Sequence, residues 1–175
     1  RFFDDESVLE STDFFPSLNS IYSLSDNQNL RFSYYRTIAR PSFKELSFAQ
    51  ILDPVSNRTF NGGLFEYRDE QSGELIWDGD LKETRIHNLD LRWELFQSQG
   101  QLFSISLFYK QFDDPIELVR ITTSQTGNEF QPRNVGNGRV LGAELEIRKK
   151  LDFISEALEL FNIYGNVTLV DSEID

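Results

Sequence analysis

The chain has 175 residues, a formal net charge of −12, one histidine, and neither cysteine nor methionine. The length suits one domain. The acidic balance disfavours nucleic-acid phosphates as partners, and the absent cysteines exclude disulfides and thiolate metal sites.

Sixteen Phe and six Tyr suit strands or a membrane interface. No apolar run approaches the roughly 20 residues of a membrane helix. A membrane barrel needs no such run, because half of each strand faces the lumen. No signal peptide is visible, and the lack of Met reads as a processed chain or a fragment.

Residues 1–12 are acidic (Asp4, Asp5, Glu6, Glu10) and read as loop or as a frayed terminus. Residues 13–24 are the first predicted strand. Phe14, Leu18, Tyr22 and Leu24 share one face with Pro16 and Ser20, and Ser17, Asn19 and Ser23 lie on the other. Residues 25–28 make a polar turn. Pairing Leu24 with Leu30 sets Tyr22 against Phe32 and Ser20 against Tyr34, so the oily faces coincide.

Residues 29–46, NLRFSYYRTIARPSFKEL, open with strict alternation. Leu30, Phe32 and Tyr34 fall on one side; Arg31, Ser33, Tyr35 and Thr37 fall on the other. Arg36 continues the apolar side, so that side stops being oily partway along, and Arg40 follows before the break. Pro41 cannot donate to a ladder, so pairing should end near it. An oily band of limited height topped by charge is expected of a strand that crosses a bilayer and continues beyond it.

From residue 42 to residue 79 the alternation dissolves, and turn residues cluster at Asp53-Pro54, Asn61-Gly62-Gly63 and Ser72-Gly73. A connection this long is unusual inside a compact soluble domain. Residues 47–52 suggest a short helical turn. Residues 64–67 and 74–77 suggest a hairpin within the loop.

Residues 81–96 are the next predicted strand, with Leu89, Leu91, Trp93 and Leu95 opposite Asn88, Asp90, Arg92 and Glu94. After a turn at 97–101, Phe103, Ile105, Leu107 and Tyr109 alternate with Ser104, Ser106 and Lys110. Pairing Leu95 with Phe103 puts Trp93 against Ile105 and Leu91 against Leu107. Asp113-Asp114-Pro115 interrupts; residues 116–123 read as a strand extension and 124–137 as a second long loop. Residues 139–150 set Leu141, Ala143, Leu145 and Ile147 against Glu144, Glu146 and Arg148. Residues 152–159 have helix-like spacing and suggest one short helical turn. Residues 160–170 are the last strand. The pattern is all-β, an antiparallel up-and-down meander of about six strands with short and long connections alternating.

Catalytic chemistry finds little support. His87 is the single histidine, so a multi-histidine metal site is impossible, and its position reads as structural or interfacial. Gly136-x-Gly138 with Gly142 lacks dinucleotide-loop spacing. Asp78-Gly79-Asp80 lacks the other ligands of a calcium loop. Asn57-Arg58-Thr59 and Asn166-Val167-Thr168 match the glycosylation sequon, a motif common by chance. Adjacent Asp113 and Asp114 would point to opposite faces if extended. Arg36 and Arg40 suit either anionic headgroups or plain solvation at a membrane edge. No catalytic, cofactor-binding or metal-ligating residue is assigned.

Four segments carry a family resemblance. Residues 29–46 resemble a barrel strand of TonB-dependent outer-membrane receptors, where a run like NLRFSYSRTIARPSFREL recurs; Tyr35 and Lys44 are the departures. Residues 79–94 are similar to NPDLKRT-x-I-x-N-x-DLRWE, with Gly79 where Asn-Pro is usual. FYKQFDDPIE at 108–117 and GAELEIRKK at 142–150, close to GVELELRK, follow in family order.

The resemblance implies that residues 1–175 are a partial barrel domain, six strands of a 22-strand transmembrane β-barrel. The family's plug domain, its energy-coupling box and its closing strand have no counterpart here. It further implies a cell outer membrane location in a Gram-negative bacterium and TonB-energised uptake of a scarce nutrient: siderophore-bound iron, a vitamin or a sugar. The implied partners are outer-membrane lipid, the plug domain of the same receptor, the TonB complex and a small nutrient ligand. No enzymatic activity and no cofactor are implied, and the segment alone would transport nothing. In isolation it would have to bury its oily face by curling, self-association or loop cover. The alternative is a soluble all-β ligand- or carbohydrate-binding module, whose Leu and Trp faces would form a core.

Overall fold

The structure, a computed structural model, describes residues 9–69, 71–97, 100–122 and 128–174. In chain order its strands are β1 (Ser17–Ser25), β2 (Gln28–Ala39), β3 (Gln50–Asp53), β4 (Arg58–Asn61), β5 (Tyr67–Arg68), β6 (Leu75–Trp77), β7 (Thr84–Phe96), β8 (Leu102–Asp113), β9 (Ile116–Ile121), β10 (Glu129–Asn134), β11 (Asn137–Lys150) and β12 (Asn162–Ile174). No helix among the described residues is long and apolar enough to cross a membrane, which says nothing of strands.

The six long strands form one sheet in the order β1-β2-β7-β8-β11-β12, antiparallel throughout. This is the predicted meander. Leu95 pairs with Phe103, Trp93 with Ile105 and Leu91 with Leu107, as predicted. β2 ends at Ala39, two residues before Pro41.

The first hairpin departs from the expected register. Tyr22 pairs with Leu30, Ser20 with Phe32 and Leu18 with Tyr34, two residues from the predicted pairing. The ladder shifts between Ser23 and Ser25, leaving Leu24 in a bulge, and the turn tightens to residues 26–27. An even slip keeps every side chain on its face, so burial could not choose between the two registers. The turn expected near Ser98 falls partly on residues 98–99, outside the described residues. Beside them, the Gln97 amide donates to the Gln101 carbonyl at 2.9 Å.

Matched rows cross the sheet. One face carries Tyr22, Leu30, Trp93, Ile105, Leu145 and Val167 in one row. The next row carries Phe32, Leu91, Leu107, Ala143 and Leu169. This oily face is the open one: Leu91, Ile105, Leu107, Leu145 and Val167 are exposed. The opposite, polar face holds the buried groups, with Asn88 4%, Glu94 7% and Ser104 1% exposed. The polarity is that of a water-soluble sheet turned inside out. Among the described residues, neither curling nor loop cover hides Leu91, Ile105, Leu107, Leu145 or Val167.

The long connections correct the sequence reading. β3 and β4 form a hairpin where a helical turn was expected at 47–52. β9 does not extend β8; it joins a second sheet of order β3-β4-β10-β9. β10 lies within the segment read as a second loop. Thr84, not Leu81, begins β7, and Ser17 begins β1. The hairpin expected near residues 64–77 exists as β5 and β6. The connection after β11 holds two 3-10 turns, Leu151–Phe153 and Glu156–Leu158, instead of one helical turn.

The second sheet joins the two long connections. β4 and β10 pair in parallel, Thr59 with Glu129 and Phe60 with Phe130. Pro132 lacks the amide that a longer parallel ladder would need, so the pairing stops short of it. The buried apolar side chains among the described residues, Leu81 and Ile121, lie in this cap and not in the large sheet. Gly62 permits its closure: a Cβ there would stand 2.0 Å from the Ser47 carbonyl oxygen.

Candidate functional site

Two polar assemblies are built into this frame. The first runs across the polar face of the large sheet. Arg31 Nε meets Glu94 Oε2 at 2.6 Å, and Arg92 Nε meets Glu94 Oε1 at 2.9 Å. Arg92 Nη2 reaches Glu146 Oε2 at 2.8 Å, and Arg148 Nη2 meets Glu146 Oε1 at 2.7 Å. The chain of charges thus steps from β2 through β7 to β11. It crosses β8 because Ser104 and Ser106 are small; Arg92 Nη1 donates to Ser106 Oγ at 3.1 Å as it passes. Three guanidinium groups against two carboxylates leave one positive charge in excess.

The second assembly is the cap. Arg133 on β10 lies with its guanidinium 5.2 Å from the Tyr67 ring centroid and 5.9 Å from that of Trp77. Its Nε donates to Gln131 Oε1 at 3.0 Å. Gln131 is itself held by the Gly62 and Phe65 carbonyls at 3.1 and 2.8 Å. The Trp77 indole donates to the Gly63 carbonyl at 2.7 Å. Arg133 is 9% exposed, and its Nη2 has no hydrogen-bond partner among the described residues. Burial holds its pKa below the ordinary arginine value, while the nearby Tyr67 opposes that shift. A cation enclosed by two aromatic faces is attracted by their quadrupoles. It fastens the β5–β6 hairpin to β10. Asn134 adds a second tie: its Oδ1 accepts from the Lys82 amide at 2.8 Å and its Nδ2 donates to the Lys82 carbonyl at 3.0 Å.

The residues weighed on sequence grounds are scattered. His87 sits on the oily face at its long-loop end, in a polar row with Arg36, Gln111 and Arg139. Its Nδ1 shares a hydrogen bond with the Tyr34 hydroxyl at 3.0 Å, and its Nε2 lies 3.8 Å from Asp113. Asp114 takes a left-handed backbone (φ 54°) beside Asp113, and the two shape the β8–β9 corner. Asp78 Oδ1 accepts from the Asp80 amide at 3.0 Å, an ordinary Asx turn. Among the described residues no cluster of three potential metal ligands occurs. Arg133, Gln131 and Asn134 escaped the sequence reading because EFQPRN is too short and too broken by Pro132 to signal a strand. Arg92, Glu94 and Glu146 were placed on the inner face by alternation alone.

A β-barrel family model described as TonB dependent receptor-like matches residues 1–175. The chain therefore belongs to the TonB-dependent receptor β-barrel family. No curated protein matches it. The siderophore receptor PirA from Pseudomonas aeruginosa superposes with a TM-score of 0.69 at 17% identity, over 93% of this chain and 29% of that one. A ferric enterobactin receptor (PfeA) mutant from the same organism, in complex with enterobactin, gives 0.54 at 16% identity, over 79% and 20%. PirA from Acinetobacter baumannii gives 0.50 at 17% identity, over 79% and 21%. The chain thus spans less than a third of the length of these receptors. In such barrels the long connections are extracellular and the short ones periplasmic.

Proposed function

We propose that this chain is part of the wall and extracellular cap of a receptor that imports a small nutrient across the outer membrane of a Gram-negative bacterium. Siderophore-bound iron is the first candidate, with a vitamin or a sugar as the other classes to be compared. The observation that carries this reading is the inside-out sheet: an open oily face, a charged inner face and a folded polar cap on the long-loop side. The oily face meets lipid. The Arg31–Glu94–Arg92–Glu146–Arg148 chain faces the lumen, where the receptor's plug domain would sit. The TonB complex would act through parts of the receptor outside this segment. A carbohydrate-binding soluble module is disfavoured by the uncovered Leu91, Ile105 and Leu107.

The test is uptake by whole cells under iron limitation, with and without the intact receptor. Loss of ferric-siderophore accumulation on deletion, restored by the wild-type gene, is the expected result. Unchanged iron uptake with lost vitamin or sugar uptake would move the substrate class. Recovery of the receptor in the soluble fraction without detergent would overturn the reading.

A further inference from the structure

We infer that residues 151–161, which join β11 to β12, form an amphipathic foot seated in the periplasmic leaflet of the membrane, among phospholipid headgroups and upper acyl carbons. The inference rests on the barrel reading and adds a lipid contact to it.

The connection is long for its side of the sheet: eleven residues separate Lys150 from Asn162, whereas the β1–β2 turn has only residues 26–27. It is also a folded unit. The Leu151 amide donates to the Phe161 carbonyl at 3.0 Å, and the Phe161 amide donates to the Leu158 carbonyl at 3.0 Å, closing both ends. Ser155 Oγ accepts from the Ala157 amide at the start of the second 3-10 turn. Yet Phe153, Ile154, Leu160 and Phe161 are 65%, 62%, 85% and 58% exposed. Four large apolar groups gathered on one folded turn mark an interaction surface.

The height of the sheet says what covers them. Arg139 and Lys149 lie on the oily face of the same strand, with Leu141, Ala143, Leu145 and Ile147 between them. Ten residues of strand span about 33 Å, or about 25 Å of height at a barrel tilt near 40°, the thickness of the apolar band of such barrels. Lys149 therefore marks the lower margin of the hydrocarbon. Its Nζ lies 5.7 Å from the Phe153 ring centroid and donates to Gln97 Oε1 at 2.6 Å, which holds the foot under the oily face. Ile163, paired with Lys149, makes the foot continuous with the oily side of β12, which carries Val167. Asp152, Glu156 and Glu159 interleave with the apolar groups and keep the turn from sinking deeper.

The experiment uses the full receptor in phosphatidylethanolamine–phosphatidylglycerol vesicles, with bimane on one introduced cysteine at a time: Ile154→Cys, Leu160→Cys, Val167→Cys or Asn166→Cys. Lipids brominated near the headgroup end of the acyl chain should quench Ile154 and Leu160 labels by at least half the fraction quenched at Val167, with Asn166 little affected. Labels at Ile154 and Leu160 that respond to aqueous iodide and not to brominated lipid would overturn the foot. Shielding from both would mean that a protein covers the turn, which also overturns it. Failure at Val167 would instead sink the barrel reading itself. A Phe153→Trp variant read by intrinsic fluorescence repeats the measurement without a label.

Discussion

Phe108 lies over Gly142 on the neighbouring strand: the two are directly paired, and a Cβ on Gly142 would stand 2.1 Å from Phe108 Cζ. The glycine that opens GAELEIRKK is therefore the floor for an aromatic ring on the inner face. Glycine in a strand costs roughly 0.5–1 kcal/mol relative to alanine, and the ring recovers this by covering it. Gly142→Ala should still destabilise, because overpacking costs about 1–3 kcal/mol and outweighs the propensity gain. Phe108→Ala in the same chain should relieve most of that loss. Urea unfolding of the receptor in vesicles, run as a double-mutant cycle, checks it; additive effects would deny the contact.

Leu107 and Ser106 are neighbours on opposite faces of β8. Leu107 pairs with Leu91 and Ala143 near the middle of the oily band. Leu107→Arg places a charge at the bilayer midplane at a cost of roughly 2–4 kcal/mol. Ser106→Arg meets Arg92 but also Glu144, with which Ser106 is paired, so its cost should be smaller. Folding yields into vesicles should rank wild type, then Ser106→Arg, then Leu107→Arg. Equal yields would count against the assignment of faces.

Arg92 bridges two carboxylates that have few other partners. Arg92→Ala should destabilise the wall by more than Arg148→Ala, since it leaves Glu94 with Arg31 alone and Glu146 with Arg148 alone. Removing one member of a part-buried ion network typically costs about 3–5 kcal/mol when the remaining charge stays dry. Solvent in the lumen should reduce that figure here. Arg92→Lys should not rescue fully, because one ammonium cannot engage Glu94, Glu146 and Ser106 in fork geometry. The midpoint of denaturant unfolding reads this.

The cap should behave as one body. Cysteines replacing Phe60 and Phe130, which are paired and stacked with centroids 5.7 Å apart, should crosslink readily in the intact receptor. Arg133→Ala should loosen the β5–β6 hairpin and raise protease sensitivity near residues 67–77, with the transmembrane wall intact. Cleavage unchanged by that substitution would remove Arg133 as the fastener.

Asp69 closes the β5–β6 turn. Its Oδ1 accepts from the Ser72 amide at 2.7 Å, the Ser72 hydroxyl at 3.0 Å and the Gln71 amide at 2.9 Å, and these bonds, Ser72's first, hold its pKa below the ordinary aspartate value. A carboxyl lowered in the folded state contributes stability that is present above its unfolded pKa. That contribution is lost as pH falls through the lower folded value. Amide exchange at Gly73, whose N–H donates to the Asp69 carbonyl, should therefore quicken only below the ordinary aspartate range. Asp69→Asn should remove that pH step.

The main sheet was legible because strand periodicity is local. A two-residue period over ten or more residues places every side chain on a face, and matching faces fixes which strands pair. The ladder from Leu95–Phe103 to Leu91–Leu107 obeys that rule. The same rule is blind to an even slip, so the β1–β2 register had to be decided by a bulge at Leu24 and a two-residue turn. The family, too, was readable from four segments in order.

The cap was not legible. Its strands are two to six residues long, its key pairing joins Thr59 to Glu129, and its fastening residues are an arginine, a glutamine and an asparagine that read as loop polarity. Sequence by itself determined the alternation and the oily and charged faces, because each is local to a strand, and the six-strand order, because successive long strands present matching faces. Only the tertiary structure decided that two distant connections share a sheet. It likewise decided that Arg133 lies between two aromatic rings and that Ser104 and Ser106 let Arg92 reach Glu146. Those depend on where separate segments meet in space, which no local period records.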